Sequence, residues 1–327
     1  MTIVCLGELL LDLFPAEQGA ELAAVSAFLP VPGGAPANVA VAAARLGAEA
    51  AFMGKVGDDG FGRRLASVLK ENAVDTRGLR FDQEARTTLN FLTLPTPNSY
   101  ECLFYRGADA LFSTQDIDAG LLREAAVFHF GSVSLTVEPC RSATLEAARL
   151  AREAGALVSF DVNYRPTLWL KPAEALPQIR KAAAAADLLK VNESELRLLA
   201  GGDDPESSGG ALLDLGPAIL IVTLGEQGCA LVRRSGCARY AGFRLPAVDA
   251  TGCGDAFVGA WLVEAASLLG PSAKDRAARL AGLPEQSLAA VCRFANAAGA
   301  LTATKKGVIP ALPARGRVLE LLGRTRG

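Results

Sequence analysis

Short apolar, often β-branched runs recur along the chain between longer stretches with helical spacing: TIVCL (2–6), AAFMGKV (50–56), AVFHFGS (126–132), ALVSFDV (156–162), DLLKV (187–191) and AILIVTLG (218–225). Apolar residues fill odd and even positions alike, as in strands buried on both faces, and the alternation with helices predicts an α/β fold. Its central sheet is expected to be mostly parallel and flanked by helices. The stretch 139–155 shows the helical grammar: Pro139 stands at a permitted early position, Leu145, Ala148 and Leu150 follow at near-helical spacing, and Gly155 ends the run.

Two segments break this rhythm. They are residues 12–35 and residues 86–107, where two β-rich runs flank the turn-forming PTPNS. Within a single domain of residues 1–327 they are expected to form a small accessory β-sheet. Both leave from the region after early strands, where a sheet could cover the ligand edge as a lid; the pattern alone equally describes two long surface hairpins. The polar stretch 201–210 reads as a surface loop, and 268–287 as a short helical insertion without chemistry.

Composition narrows the function. Half of the 327 residues are hydrophobic, so a large core is available. The net charge is only -2, with acids and bases interspersed, so the sequence predicts small polar ligands and neither a nucleic-acid nor a membrane partner. Seven scattered cysteines, never spaced CxxC, predict a reduced, cytoplasmic protein without a disulfide framework or zinc cluster. The first residues lack a basic n-region and include Glu8 and Asp12, which suits a buried strand better than a signal peptide. A single histidine, His129 in VFHFGSVSL, leaves little material for a Ser/His/Asp machine or a multi-histidine metal site, and reads as a packed strand residue.

In parallel sheets ligands bind beyond the carboxyl ends of the strands. Polar residues follow several strand-like runs: Glu8 and Asp12, Asn163 and Arg165, Asn192 to Glu195, and Glu226 to Gly228. Each alone could be a helix cap or a turn; their common edge suggests one composite site. The run Ala250-Thr251-Gly252-Cys253-Gly254-Asp255 adds small residues ahead of a carboxylate and an apolar helix. Successive N–H groups at such a helix start form an anion nest that needs no lysine, although a functionless tight turn has the same letters. The run lacks the GK[ST] of a Walker loop, and Gly259 lies five positions after Gly254, which breaks the GxGxxG spacing. The helix dipole is expected to lower the Asp255 pKa and leave a weak base. Phosphoryl transfer tolerates this, because the attacking hydroxyl becomes acidic as it bonds to phosphorus. A second glycine cluster, Gly33-Gly34 with Asn38, repeats the design in a form suited to a neutral polyol.

Together GGAPANVAVAAARLG, GKVGDDGFG and DATGCGDAFVGA resemble the paired signatures of the ribokinase-like (PfkB-type) carbohydrate kinases, in family order over roughly residues 2–313. FYRGADALF, FHFGSVSLTVEPCRSATLEAAR and FDVNYRP are most similar to fructokinases within that family. The resemblance implies a ribokinase-like fold with a β lid, and a homodimer through the lid. It implies Asp255 as catalytic base with Gly252, Cys253 and Gly254 as anion hole, and sugar contacts from Asp12, Gly33, Gly34, Asn38, Arg106 and Arg165. For ATP it implies Lys190, Asn192, Glu195, Thr223, Gly225, Gly228 and Asn296, with Glu195 organising hydrated Mg²⁺. Asp249, Thr251 and the loop around Gly307 resemble a monovalent-cation site that would take K⁺. Two departures are Ala250, commonly threonine or serine, and Cys253, commonly alanine; both stay small, and Cys253 adds a thiol open to oxidation wherever solvent reaches it.

The activity so implied is ATP-dependent transfer of the γ-phosphoryl group to a primary hydroxyl, foremost of D-fructose to give fructose 6-phosphate. The alternatives are a 2-keto-3-deoxygluconate kinase, in which Arg106 and Arg165 would hold the carboxylate, and a non-catalytic sugar-binding regulator. A Rossmann dehydrogenase lacks its fingerprint after the first strand.

Overall fold

Strand β1 (Thr2–Leu6) is buried on both faces: Ile3 and Cys5 enter one apolar cluster, Val4 and Leu6 another. This period of two, repeated in neighbouring strands, puts a core on each side of one central sheet. In the computed structural model, which describes residues 1–17, 19, 21–96, 99–270 and 275–324, twelve further strands follow. They are β2 (Leu10–Pro15), β3 (Phe28–Gly33), β4 (Glu49–Gly57), β5 (Val74–Asp82), β6 (Leu89–Thr96), β7 (Ser99–Tyr105), β8 (Ala125–Gly131), β9 (Leu157–Asp161), β10 (Leu188–Asn192), β11 (Ile219–Thr223), β12 (Gly228–Arg233) and β13 (Gly236–Ala241).

The main sheet runs β13-β12-β11-β10-β9-β8-β1-β4-β5, parallel from β11 to β5 and antiparallel at the β12 and β13 edge. Helices Ala35–Arg45, Cys253–Leu269 and Glu285–Thr302 cover the face carrying Ile3 and Cys5; Cys140–Glu153 and Pro172–Ala184 cover the other. The chain leaves β1 toward β4 and β5, then returns through β8 on its other side, so strand order reverses at β1. The crevice beyond the carboxyl ends of β1 and β8 is the topological switch point, the expected place for a ligand.

The two off-rhythm segments meet in a second sheet, ordered β3-β2-β6-β7. Its parallel β2–β6 seam pairs Leu11 with Leu89, Asp12 with Asn90 and Leu13 with Phe91. It begins at Leu10, two residues before the expected boundary, and part of the PTPNS turn, residues 97 and 98, lies outside the described residues.

One sequence expectation needs correction, and two other readings gain detail. Residues 201–210 are not all loop: Asp204 caps helix Pro205–Leu213 by accepting from Ser207 N, and Gly209 lets that helix close on Val232 and Leu220. The polar letters supply the cap and the outer face. In helix Cys140–Glu153 the buried stripe is Ala143, Thr144, Ala147, Ala148 and Ala151, while Leu145 and Leu150 are only partly buried. Small residues face the sheet because the helix packs close to it. Strands β5, β12 and β13 escaped the apolar-run pattern because they carry charged and glycine positions, as expected near sheet edges. Short helix Arg276–Ala281 lies in the 268–287 insertion, of which residues 271–274 are outside the described chain.

Candidate active site

Helix Cys253–Leu269 starts at the switch point, behind the turn 249–252. Gly252 is its N-cap at φ 78°, a left-handed conformation, and a Cβ there would run into Val308 Cγ1. Two demands, backbone hand and close approach, therefore fix glycine at this position. No side chain caps the helix; Cys253 N donates to Ala250 O at 3.3 Å, which leaves the N–H groups of Gly252 and Gly254 to face an anion. Asp255, the third helical residue, does not act as a cap. It is buried, and its Oδ2 accepts from Asn38 Nδ2 at 2.8 Å. The two glycine motifs, 217 positions apart in the chain, thus meet at one carboxylate.

The expected dipole-lowered pKa of Asp255 is overturned. Burial pushes it up to about 6; the Asn38 hydrogen bond, Lys190 and Arg165 pull down, while Asp161 pushes up. Desolvation exceeds the dipole because the carboxylate is buried inside the domain. The result is a stronger base than an ordinary aspartate, still mostly ionised at pH 7.

Asp12, on β2, is held by Asn90 Nδ2 at 2.7 Å, its neighbour across the β2–β6 seam. Burial raises its pKa to about 6, with Arg165 opposing and Asp255 adding to the rise, which places all three in one electrostatic site. Gly33 backs onto Asp12, since a Cβ there would run into Asp12 Oδ2, and Gly34 (φ 108°) is pressed against the Glu8 carbonyl. Glu8 accepts from Ala35 N at 2.9 Å, fixing the start of helix Ala35–Arg45, and burial pushes its pKa to about 7. Around this junction Glu8 Oε2, Asn38 Oδ1, Asn90 Oδ1 and Arg106 Nε are buried without a hydrogen-bond partner among the described residues. Unpaired buried polar atoms are costly, and a ring of them suits a ligand rich in hydroxyls.

On the other side of the turn opens a cleft of about 620 Å³, lined by Ala250, Cys253, Gly254, Asn192, Thr223, Gly225, Gly228 and Asn296. Phe243, Leu245 and Phe257 give it apolar walls, and its size is that of a nucleotide site. Asn296 donates to Tyr240 O (3.0 Å) and Ala241 O (3.2 Å), tying helix Glu285–Thr302 to β13. Cys253 lines the cleft, but burial, with Asp249 and Asp255 adding, pushes its pKa up to about 12. It remains a protonated thiol at neutral pH, which makes it a slow target for oxidants.

Two expected nucleotide residues lie outside the cleft lining. Lys190 Nζ sits 3.0 and 3.1 Å from the two Asp161 oxygens, inside the protein. Glu195 accepts from Tyr164 N and Asn192 N, both at 2.8 Å, while Asn192 Oδ1 accepts from Glu195 N at 2.9 Å. This capping box locks the turn after β10. Arg106 is likewise tied up: it pairs with Asp109 at 2.7 Å and donates to Thr136 Oγ1 at 2.9 Å and Val133 O at 3.3 Å. Among the described residues Arg165 donates only to its neighbour Tyr164 O, at 3.3 Å.

Asp249, Thr251 and Gly307 come together. Asp249 Oδ1 accepts from Thr251 N (2.9 Å) and Oγ1 (2.7 Å), and Oδ2 from Gly307 N (3.0 Å), stapling two loops beside the anion turn. Among the described residues no basic side chain pairs with Asp249, and no three His, Cys, Asp or Glu side chains group to hold a metal ion. His129 packs in β8 with Nδ1 3.0 Å from Ser159 Oγ, its pKa pushed by burial to about 4. Sequence reasoning missed Asn90, Asp109 and Asp161, and treated Glu8 only as a strand-end polar residue. Asp161, the last residue of β9, and Lys190, in the middle of β10, are register partners, a signal that pairing the strands would have exposed.

The model of the pfkB family carbohydrate kinases matches residues 1–315. The chain is 46% identical to fructokinase-1 of Zea mays, over 98% of this chain and 97% of that one. It is 45% identical to the probable fructokinase-2 of Arabidopsis thaliana, over 98% and 95%. Among solved structures, the ATP-bound fructokinase of Xylella fastidiosa superposes with a TM-score of 0.90 at 34% identity, covering 100% of this chain and 99% of the other. A Vibrio cholerae fructokinase double mutant holding fructose, ADP and potassium gives 0.86 at 32%, covering 98% of each.

Proposed function

The chain belongs to the pfkB family of carbohydrate kinases, and on that premise we propose that it transfers the γ-phosphoryl group of ATP to the primary hydroxyl of D-fructose that yields fructose 6-phosphate. The observation that carries this reading is the meeting at Asp255 of a hydroxyl-binding pocket and a nucleotide-sized cleft, separated by an uncapped helix start. Relatives named fructokinase at 44–46% identity support fructose as the sugar.

In this mechanism Asp12, Asn38, Asn90 and the Gly33-Gly34 turn orient the sugar. Asp255 takes the hydroxyl proton as the sugar oxygen bonds to the γ-phosphorus, and the bond from that phosphorus to the bridging oxygen of ADP breaks. The N–H groups of Gly252 and Gly254 meet the charge on the transferred oxygens. The β2-β3-β6-β7 sheet acts as a lid that keeps water from competing with the sugar. Mg²⁺ would supply charge neutralisation on the phosphates, and Glu195, held by Tyr164 N and Asn192 N in the turn after β10, is the residue that would organise its water shell. Asp249, an uncompensated carboxylate beside an anion site, fits a monovalent cation such as K⁺, which would offset its repulsion of phosphate.

The decisive assay is a panel of sugars and sugar acids with Mg-ATP. We expect kcat/KM for fructose to exceed that for 2-keto-3-deoxygluconate by at least about 10², because Arg106 already has its carboxylate in Asp109. Preference for the keto acid would transfer the assignment to it, and no ADP release with any sugar would leave a binding protein. We place the enzyme in the cytoplasm, supported by seven free cysteines; no helix among the described residues is long and apolar enough to cross a membrane.

The outer face of the lid supports a homodimer. Phe28, Phe91 and Tyr105 form edge-on ring pairs there (centroids 5.0 and 5.6 Å), beside Leu103, with Leu103 46% and Tyr105 60% exposed. Sedimentation should show a dimer for the wild type and a monomer for Leu103→Asp/Tyr105→Asp; a monomeric wild type at tens of micromolar would end this part of the proposal.

A further inference from the structure

Beneath the anion turn lies an ionic cluster whose composition the transfer step alone does not explain. Asp161 and Lys190 are cross-strand partners on the sheet face under helix Cys253–Leu269, with side chains 5% and 9% exposed. Lys190 Nζ lies 3.5 Å from where a Cβ on Gly254 would stand, one residue before Asp255. From helix Glu193–Ala200, the buried carboxylate of Glu195 approaches the same ammonium. Three buried carboxylates, Asp161, Glu195 and Asp255, thus surround one buried cation. His129, one pair further down the sheet and neutral at pH 7, offers no compensation.

Burying a lysine lowers its pKa, yet the carboxylates of Asp161, Glu195 and Asp255 outweigh that effect and hold the ammonium charged. Around Asp255 stand Asn38 from helix Ala35–Arg45, Asp12 from β2, Asp161 from β9, Arg165 from the loop after it, Lys190 from β10, and the Cys253 thiol on its own helix. Lys190 and Arg165 are the positive charges in this set, and Arg165 is shared with Asp12.

We propose that Lys190 is a positioning residue for phosphoryl transfer: locked on Asp161 beneath the turn, one residue from the base, its ammonium is the counter-charge that lets Asp255 remain ionised in a buried site. The inference rests on the reading of Asp255 as the base. Without Lys190, like-charge repulsion returns a proton to the cluster, and Asp255 needs a higher pH to become competent. Removing Asp161 instead takes away a repelling charge and has the opposite effect. Removing both restores the charge excess of the wild type.

The test measures kcat/KM for fructose against pH, at saturating Mg-ATP, for the full-length wild type, Lys190→Met, Asp161→Asn and the double variant. Lys190→Met should move the acid limb up by about one pH unit, and Asp161→Asn should move it down. The double variant should return it to within about 0.3 unit of the wild type. Uniform loss at every pH with an unmoved limb in both single variants would show a packing role and overturn the inference. Should Lys190→Met fail to fold, Lys190→Gln, which keeps an N–H donor for Asp161 but no charge, must give the upward shift; an unmoved limb there overturns the inference. A wild type that phosphorylates no sugar overturns the kinase reading with it; an active wild type with immobile limbs overturns this inference alone.

Discussion

Asp255→Asn is expected to lower kcat by about 10² to 10⁴, the usual cost of a lost general base, and to raise the melting temperature of the ligand-free protein above pH 7. Both effects have one cause. The carboxylate is buried, with its pKa pushed from 3.8 to about 6, so the folded chain holds that proton more tightly than the unfolded chain. A carboxyl raised in this way favours folding fully below the unfolded value, and that contribution is lost as pH rises through about 6. At pH 8 the ionised group therefore opposes folding by about 1–3 kcal/mol, and asparagine removes the charge while keeping the shape. The Asn38 amide can turn to accept from the new amide, so the contact at 2.8 Å has a neutral replacement. Melting curves at pH 8 and pH 4 should show a gain of several degrees at the first and almost none at the second, with ATP affinity little changed. Turnover within a few-fold of the wild type would remove Asp255 as the base. An equal loss of stability at both pH values would mean that the pair with Asn38 is structural and the carboxylate carries no strain.

The reach of sequence reasoning follows from what each signal measures. Apolar runs located the strands buried on both faces, β1, β4 and β8 to β11, because burial on both sides leaves no polar alternation to confuse the reading. Edge strands β5 and β13 break their apolar run with charged residues and glycine, and β12 beside them offers only the short run Cys229 to Val232 between Gly228 and Arg233, so the pattern did not find them. The glycine motifs were legible because backbone geometry at Gly34 and Gly252 excludes other residues, a constraint written in the letters themselves. Asp161 and Asn90 were not legible: each works through a partner on another strand, Lys190 or Asp12, and only register brings them together. Arg106 and Glu195 illustrate the converse. Their types were right for a sugar acid and a metal, yet each is engaged within the protein, Arg106 by Asp109 with its Nε left over, and Glu195 by two backbone N–H groups. The sequence also carried no measure of burial, which is why the pKa of Asp255 was expected on the wrong side of its ordinary value.

Gly252→Ala is expected to lower kcat by about 10² to 10³, the range for a lost oxyanion donor, with little change in KM for fructose. The split follows from geometry. The proposed sugar contacts at Asp12, Asn38 and Asn90 lie on the side of Asp255 that faces the β3-β2-β6-β7 sheet, whereas Gly252 orients N–H groups beside the cleft lined by Gly254 and Cys253, the proposed nucleotide site. A methyl at Gly252 meets two separate obstacles: φ of 78°, which costs an L-residue about 1–2 kcal/mol, and direct collision with Val308 Cγ1. The second can be removed alone. Val308 is buried in the loop that Asp249 staples to the turn through Gly307, so relief of the collision lets the staple re-form. Gly252→Ala/Val308→Ala should therefore recover at least about 10-fold of the single-turnover rate, the backbone cost remaining. Gly254→Ala provides the control, since its Cβ would lie 3.5 Å from Lys190 Nζ, an ordinary contact, and its helical backbone accepts alanine. It should lose less than about 10-fold. No recovery in the double variant would assign the loss to the hand of the backbone alone. A Gly254→Ala defect as large as that of Gly252→Ala would instead place the transferred phosphoryl group against the Gly254 Cα, where a methyl excludes it by contact.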